Sequence, residues 1–270
     1  MSRITTKNGI QWSYNDQGEG PALVFLHGWG VNKDIWKQQV TYFKKKYRVL
    51  AIDLPGHGDT PWQATSLTEI ANNIIWLLSE LSSQNIHFAG SSMGGLIGLQ
   101  MYKERPDIFQ SLTFVGSLPK FVKSEDFIFG LEDSEVKKLT RQVSRQYPSI
   151  VNIFFRALFT RQEREDARFQ WAQTFRRNQK MPDREALLSF LGLLGKVDLR
   201  PVLPTVNVPV LCINGVDDTI VPVEYLEYIK SEIPHAKCYR VERAGHFPFI
   251  IQAEAFNKKL GKFLKSHKDT

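Results

Sequence analysis

A serine between two glycines is the residue in this sequence best placed to act as a nucleophile. Residues 90–94 read GSSMG and match the G-x-S-x-G pattern, which puts a serine at the apex of a sharp strand-to-helix turn. The residues two before and two after that serine crowd each other, so both must be small. Gly90 and Gly94 meet this requirement for Ser92, whereas Ser91 has no glycine at either position. We therefore predict Ser92 as the nucleophile.

A histidine that could act as the base follows the last predicted strand. Residues 236–241 have the composition of a strand, and Gly245 and His246 come shortly after it. The carboxyl ends of parallel strands meet at one edge of a sheet, so this loop can reach the turn that carries Ser92. We predict that His246 removes the proton of the serine hydroxyl.

The acid that would orient His246 is expected in the loop after the preceding strand, 208–214. The loop after the earlier strand at 111–116 begins with Gly-Ser-Leu-Pro and offers no carboxylate. The later loop contains both Asp217 and Asp218, and either could serve. We choose Asp218 for its position relative to the Val-Pro pair at 221–222. The resulting order along the chain is serine, acid, histidine, as in one known group of serine triads.

A second glycine-rich turn could supply amides that stabilise a negatively charged oxygen. Residues 22–26 form a continuous apolar run, typical of a strand buried on both faces, and the sequence HGWG follows at 27–30. The Trp29 amide is one candidate donor. The Met93 amide is the other, because the helix predicted to begin there would aim its free N–H groups at the reacting oxygen.

Other histidines and acids near these turns have a simpler interpretation. Asp53 and His57 lie four residues apart in a turn rich in proline and glycine, where such side chains usually fix the loop. We likewise interpret His27 as a structural hydrogen-bonding residue rather than a catalytic one.

Alternating strand and helix patterns place these turns in an α/β fold. Strands are predicted at 10–14, 22–26, 49–53, 111–116, 208–214 and 236–241, and a further strand begins at 86 and leads into the serine turn. Helices are predicted at 34–47, at 67–81 and from about 93 onward. This alternation implies a mostly parallel central sheet with helices on both faces. Residues 118–196 show only helical patterns and suggest an inserted helical cap. We therefore divide the chain into core 1–117, cap 118–196 and core 197–270.

Positive charge is concentrated in the predicted cap. Between residues 120 and 200 there are 16 Lys and Arg against 11 Asp and Glu, which accounts for +5 of the net charge of +7. No recognition helix, zinc finger or aromatic-basic sheet is evident, so we expect no nucleic-acid partner. Arg161, Arg164 and Arg168 are predicted on one helix face, which is either solvated or a docking patch for an acidic protein or charged substrate tail.

Composition indicates a reduced compartment and no membrane association. Cys212 and Cys238 lie in apolar, strand-like runs without CxxC spacing, so we expect reduced packing residues and no metal site. No charge-poor apolar run is long enough to span a bilayer, and the first residues contain no signal-peptide core. We expect a cytoplasmic protein that needs no cofactor.

Together these motifs resemble the α/β-hydrolase superfamily over the whole chain. The resemblance covers HGWG at 27–30, the serine turn at 90–94, GVDD at 215–218 and Gly-His at 245–246. It implies an α/β-hydrolase fold with Ser92 as nucleophile, Asp218 as acid and His246 as base. It also implies the amides of Trp29 and Met93 as oxyanion donors, and a reaction that hydrolyses a carboxylic ester through an acyl-enzyme.

More narrowly, the sequence resembles esterases that hydrolyse the methyl ester of pimeloyl-[acyl-carrier protein] in biotin synthesis. The similar features are LHGWG at 26–30, KVDLR at 196–200 and DAR at 166–168. By this resemblance the pocket would be lined by Phe155, Arg156, Ala157, Leu158 and Phe159, in addition to Trp29, Ser92, Met93 and His246. Arg164 and Arg168 would face the acyl carrier protein.

Two residues depart from that narrower pattern. Those esterases usually have tryptophan before the nucleophile, where this chain has Ser91, and Arg156 brings a charge into a stretch expected to be apolar. The alternatives are a short-chain carboxylesterase of broad specificity, a C–C bond hydrolase, or a ligand-binding receptor of low turnover on the same fold. Haloalkane dehalogenases and epoxide hydrolases of this fold carry aspartate at the elbow, so a serine argues against them.

Overall fold

The computed structural model describes residues 2–6 and 9–267, and in this part of the chain eight strands form one sheet. The strands are β1 (Ser2–Thr5), β2 (Gln11–Gln17), β3 (Ala22–Leu26), β4 (Arg48–Ile52), β5 (Ile86–Ser91), β6 (Phe109–Val115), β7 (Val210–Gly215) and β8 (Lys237–Val241). Their order across the sheet is β1-β2-β4-β3-β5-β6-β7-β8. Strand β2 pairs antiparallel with both β1 and β4, and all the other neighbouring strands pair parallel, so the predicted α/β class with a mostly parallel sheet is confirmed.

Helices cover both faces of the sheet. They are α1 (Lys37–Phe43), α2 (Leu67–Glu80), α3 (Met93–Glu104), α4 (Asp133–Gln146), α5 (Ser149–Ala157), α6 (Ala167–Asn178), α7 (Arg184–Leu194), α8 (Tyr225–Glu232), α9 (Pro248–Ile251) and α10 (Ala253–Lys265). Strand β1 and helix α10 had no counterpart among the sequence predictions. Among these helices none has the length and apolar content that a bilayer crossing requires.

The central strands are buried on both faces, which explains their continuous apolar sequence. In β3 every residue is buried, and alternate side chains enter two separate cores. Val24 and Leu26 pack on one face of the sheet, while Leu23 and Phe25 pack on the other. A run without polar alternation is therefore the pattern that a covered parallel strand requires.

The segment between β6 and β7 contains four helices and no strand of the main sheet. Helices α4 to α7 lie in this segment, and the described residues there form only two isolated bridges, Val122 with Leu131 and Ser124 with Phe127. This arrangement agrees in kind with a helical insertion. The boundaries at 118 and 196 stay a prediction.

A buried ion pair ties the loop after β3 to the end of β4. The Lys33 ammonium lies 2.6 Å from the Asp53 carboxylate, and both side chains are almost completely buried. The same carboxylate accepts hydrogen bonds from the amides of Lys33 and Asp59. Asp53 therefore fixes a loop, as its sequence setting predicts.

We expect Lys33→Met to lower the free energy of unfolding by about 3–5 kcal/mol, because it leaves the Asp53 carboxylate buried without a counter-charge. Lys37→Met is the matched control, since Lys37 is exposed. That variant should stay within about 0.5 kcal/mol of the parent chain in urea denaturation. Equal stability of the two variants would contradict a structural role for the buried pair.

Candidate active site

Ser92 occupies a strained backbone conformation between β5 and α3. Its φ is 54° and its ψ is −123°, an arrangement rare for a residue with a side chain. The turn is held by hydrogen bonds from the Ser92 amide to the Val115 carbonyl, at 2.9 Å, and from the Ser117 hydroxyl to the Ser92 carbonyl, at 2.7 Å. Strain that persists in this way marks functional turns, because the surrounding contacts must maintain it.

The two glycines of the motif are required by close backbone contacts. A Cβ added to Gly90 would lie 2.5 Å from the carbonyl carbon of Gly94. A Cβ added to Gly94 would lie 2.5 Å from the carbonyl oxygen of Leu26, at the end of β3. The small residues therefore let the start of α3 approach both its own strand and the neighbouring one.

His246 and Asp218 form the hydrogen bond that the sequence predicts. The His246 Nδ1 lies 2.7 Å from the Asp218 Oδ2, and both residues are buried. The other Asp218 oxygen accepts from the amides of Ile220 and Val221, at 2.8 and 3.1 Å. Asp217 is exposed. These hydrogen bonds from backbone amides fix the Asp218 carboxylate. They also explain why Asp218 was distinguished from Asp217 by its distance along the chain from residue 221.

Gly116 is a site residue that the sequence analysis missed. It follows β6 with a φ of 52°, and an added Cβ would lie 3.1 Å from both the Asp218 Oδ2 and the His246 Nδ1. The backbone of β6 therefore lies directly against the acid–base pair. The sequence contains one signal for this residue: Gly116 directly follows a buried strand, at the same sheet edge as the loops that carry Ser92, Asp218 and His246.

Ser92 and His246 line one apolar cavity. The other lining residues are Gly28, Trp29, Phe121, Leu131, Val136, Leu139, Phe154, Leu158, Leu191, Leu194, Ile220 and Phe247. A Cβ added to Gly28 would lie 3.1 Å from the Ser92 Cβ, so the loop at 27–30 passes beside the serine. The serine hydroxyl and the imidazole are therefore polar groups in an otherwise hydrophobic chamber.

Two buried histidines anchor the loop at 27–30. The His27 Nε2 accepts from the Leu54 amide at 3.0 Å, and the His57 Nε2 accepts from the Gly30 amide at 3.2 Å. Burial lowers the pKa of each histidine to about 3. For His57 the neighbouring His27 lowers the pKa further. Both rings are therefore neutral near pH 7, and both have the structural role that their settings predict.

The two backbone amides predicted as oxyanion donors belong to Trp29 and Met93. Met93 is the first residue of α3, and the amides of a first helical turn have no partner within the helix. Trp29 is fixed from the cap: its indole N–H donates to the Leu187 carbonyl at 3.0 Å, and its ring packs edge-on against Phe154. The roles of both amides as oxyanion donors stay a prediction.

The pocket residues predicted from the resemblance need correction. Of residues 155–159 only Leu158 lines the cavity, together with Phe154 one helical turn earlier. Phe155 and Phe159 pack on Phe247, which lines the cavity, without lining it themselves, while Arg156 and Ala157 are exposed. A helix presents one face to a cavity, so five consecutive residues cannot all line it. Arg156 consequently puts no charge into the chamber.

The cap also contacts the loop that carries His246. The His246 amide donates to the Leu158 carbonyl at 3.0 Å. Glu163 is buried, and its carboxylate accepts a hydrogen bond from the Thr160 amide at 2.8 Å. The carboxylate also lies against Gly245, where an added Cβ would be 2.9 Å from the Glu163 Oε2. Burial raises the pKa of this carboxyl. Glu163 joins cap and core beside the catalytic loop, and sequence spacing gave no sign of it.

The three predicted cap arginines do not share one helix. A short 3-10 turn covers Glu163–Glu165, and α6 begins after Asp166, whose side chain caps it by accepting from the Arg168 amide. Arg164 is therefore separated from Arg168 by a helix boundary. The Arg168 guanidinium also pairs with Asp166 at 2.7 Å. The periodicity predicts one helix here because a capping aspartate can occur without any break in apolar spacing.

The fold and this site place the chain in a known family. The chain belongs to the α/β-hydrolase fold family, which it matches over residues 21–253. It is similar to the pimeloyl-[acyl-carrier protein] methyl ester esterase of Vibrio atlanticus (strain LGP32), with 32% identity over 251 residues, or 91% of this chain and 95% of that protein.

Further relatives agree with this placement. The protein of the same name from Nitrosomonas europaea is 28% identical over 239 residues, covering 88% of this chain and 94% of that protein. Among solved structures, an esterase from Exiguobacterium antarcticum superposes with a TM-score of 0.89 at 25% identity, covering 98% of this chain and 99% of that one. A bromoperoxidase from Bacillus anthracis gives a TM-score of 0.88 at 26% identity, covering 98% and 100%.

We expect Gly90→Ala to destabilise the protein by about 1–3 kcal/mol or more, because the new Cβ would clash with the backbone of Gly94. The matched control is Gly192→Ala in α7, where an added Cβ meets nothing within 4 Å. That control should be neutral or stabilising by up to about 1 kcal/mol, since alanine favours helices. Urea denaturation compares the two, and a Gly90→Ala variant as stable as the control would contradict the crowding.

The buried histidines predict how stability depends on pH. The unfolded chain takes up a proton at each histidine below about pH 6.5, whereas the folded chain resists until about pH 3. Stability should therefore fall as pH decreases through this window, by up to about 1.4 kcal/mol per pH unit for each histidine. In denaturation series from pH 7 to pH 4, His57→Gln should make the free energy of unfolding fall less steeply with decreasing pH, by the equivalent of about one proton. An unchanged slope would show that His57 is not buried in its neutral form.

Proposed function

We propose that this protein is a serine hydrolase of carboxylic esters that works through Ser92, His246 and Asp218. The observation that carries the proposal is the hydrogen bond of 2.7 Å between His246 and Asp218, in a chamber that also contains the strained Ser92. A serine turn, a buried imidazole and a buried carboxylate are the parts that nucleophilic acyl transfer needs.

The proposed reaction proceeds in two steps. His246 takes the proton of the Ser92 hydroxyl while the oxygen attacks the ester carbonyl, and Asp218 holds the imidazole and stabilises its positive charge. The amides of Trp29 and Met93 stabilise the oxyanion, each supplying on the order of 10²–10³ in rate. The proton on His246 passes to the departing alcohol. Water, deprotonated by His246, then attacks the acyl-enzyme, and His246 returns that proton to the Ser92 oxygen as the carboxylic acid leaves.

We propose the methyl ester of pimeloyl-[acyl-carrier protein] as the substrate. The relatives from Vibrio atlanticus and Nitrosomonas europaea carry that name, and their alignments with this chain cover 95% and 94% of their lengths. The chamber supports the proposal because α4, α5 and α7 give it only apolar side chains. A chain of methylene groups is stabilised there by burial, at about 0.8 kcal/mol for each group. Hydrolysis would consume one water and release methanol and the carrier-bound acid.

Carrier docking on the cap belongs to the same proposal. The resemblance points to Arg164 and Arg168 as contacts for the carrier protein. Arg168 already pairs with Asp166, and the charge of Glu254 acts on it as well, so part of its charge is compensated. The excess positive charge of the cap supports an acidic partner without locating it.

We expect Ser92→Ala to lower kcat by roughly 10⁶-fold, since the nucleophile is lost. Ser91→Ala is the control: Ser91 is more deeply buried than Ser92, and its hydroxyl has no hydrogen-bond partner in the described part of the chain, so its loss should change kcat little. Asp218→Asn should likewise lower kcat, whereas Asp217→Asn should change kcat little because Asp217 is exposed. Hydrolysis by Ser92→Ala near the parent rate would overturn the proposed mechanism.

A parallel assay tests the substrate. The methyl ester of pimeloyl-carrier protein is compared with short-chain p-nitrophenyl esters, and the proposal expects a kcat/KM at least about tenfold higher for the carrier-bound ester. Higher values for the small esters would favour a carboxylesterase of broad specificity. Steady turnover of either ester excludes a receptor that has lost catalysis, and a C–C bond hydrolase would prefer a diketone substrate to both.

A further inference from the structure

A groove on the outside of the cap carries positive charge without matching carboxylates. It lies between α5 and α6, has a volume of about 530 Å³, and is lined by Arg156, Arg176 and Arg177 together with apolar and neutral polar side chains. None of its lining residues is acidic. This groove is separate from the catalytic chamber, because Arg156 and Phe154 project from different sides of α5.

Two of these arginines are available to a partner. Arg156 and Arg177 are exposed, and neither forms an ion pair with any residue within 2–6 or 9–267. Several other arginines in or next to the cap are paired instead. Arg168 pairs with Asp166, Arg184 with Glu185, and Arg200 with both Asp126 and Asp198. The charge of this groove is therefore not compensated locally.

The third arginine is buried in the groove wall with neutral partners only. The Arg176 guanidinium donates to the Asn152 Oδ1 at 2.7 Å, to the Gly30 carbonyl at 3.2 Å and to the Met181 sulfur at 2.8 Å. Burial lowers its pKa to about 10, which still leaves it protonated near pH 7. A buried cation with no carboxylate is costly, and an anion arriving in the groove would relieve that cost.

Two other large grooves beside α6 differ in charge, because each contains carboxylates. One is lined by Asp34, Lys37 and Lys44 together with neutral side chains. The other is lined by Arg168, Arg243 and Lys258, but also by Glu163, Asp166, Glu242 and Glu254. Basic and acidic groups are mixed there, so an acidic partner would meet as much repulsion as attraction. Charge complementarity therefore selects the groove between α5 and α6.

We infer that the groove between α5 and α6 is the docking site for an acidic surface of the carrier protein, with Arg156 and Arg177 as its contact charges. This inference rests on the proposed function and moves the main contact away from Arg164 and Arg168. Phe155, Phe169 and Met181 add apolar surface beside the charges. Docking there places the partner one helix away from the chamber. Arg176 connects the groove to Gly30 in the loop beside Ser92.

The test is charge reversal with a matched control. Arg156→Glu/Arg177→Glu should lower kcat/KM for the carrier-bound ester at least about tenfold, mainly through KM, and leave kcat/KM for a small p-nitrophenyl ester within about twofold. Lys45→Glu/Lys46→Glu changes the net charge equally at the start of β4, the opposite sheet edge from Ser92, and should affect neither substrate. Unchanged small-ester activity also shows that the variant folds. If the glutamate pair does not fold, Arg156→Gln/Arg177→Gln gives the same comparison with a smaller loss.

Two further measurements locate the contact. Arg164→Glu/Arg168→Glu should slow the carrier-bound ester less than the groove pair does; a larger effect there, with none from the groove pair, overturns the inference. Titration of Ser92→Ala with carrier protein lacking its phosphopantetheine arm should show binding that weakens at least about tenfold with the groove variant. Binding that requires the arm, or that the groove variant leaves unchanged, overturns it too. Because this titration needs no catalysis, failure of the proposed ester specificity remains a separate result.

Discussion

The close approach of three backbone segments at the end of β5 is the constraint on which the site depends. The residues two before and two after Ser92 touch each other and the end of β3, and only glycine leaves room for these contacts. The resulting turn pushes Ser92 into a left-handed conformation that ordinary loops avoid. The turn also starts α3 directly after the serine, so the Met93 amide lies in the first turn of that helix, where it has no partner within the helix. The geometry of the candidate nucleophile is thus set by backbone packing inside the sheet.

The cap helps to fix the loops of the site in addition to covering the site. Cap residues contact both loops beside the serine: Arg176 donates to the Gly30 carbonyl, and the Glu163 carboxylate lies against Gly245, next to His246. The Leu158 carbonyl accepts from the His246 amide and so fixes the backbone of the base. A movement of α5 or α6 would therefore alter the positions of the base and of the loop beside Ser92. The cap therefore helps to fix the His246 backbone and the loop at 27–30, in addition to lining the cavity.

The sequence predicts the core far better than the cap, and the reason is physical. A buried parallel strand has to be a continuous apolar run that ends at a glycine-rich loop, so β3 and β5 were located with their functional turns. Elements outside that rule were missed: β1 is a short, half-exposed edge strand, and α10 follows the last predicted strand. In the cap, helices pack on other helices and on loops far away in sequence. Spacing alone therefore cannot tell that Phe154 faces the chamber while Phe155 enters a different core.

Charged residues show the same division between local and distant information. Asp53 and His57 sit in a turn whose composition already indicates loop fixing, and their partners lie in the neighbouring turns. Arg176 and Glu163 look like ordinary surface charges of polar segments, yet both are buried. Arg176 donates to the Gly30 carbonyl, far away in sequence, and Glu163 accepts from the Thr160 amide while it lies against Gly245. Their cost in free energy is offset only in the assembled fold, where unpaired carbonyls and amides would otherwise be buried. Such residues support the site without lining the cavity. They can therefore be identified only from the contacts between cap and core in the folded structure.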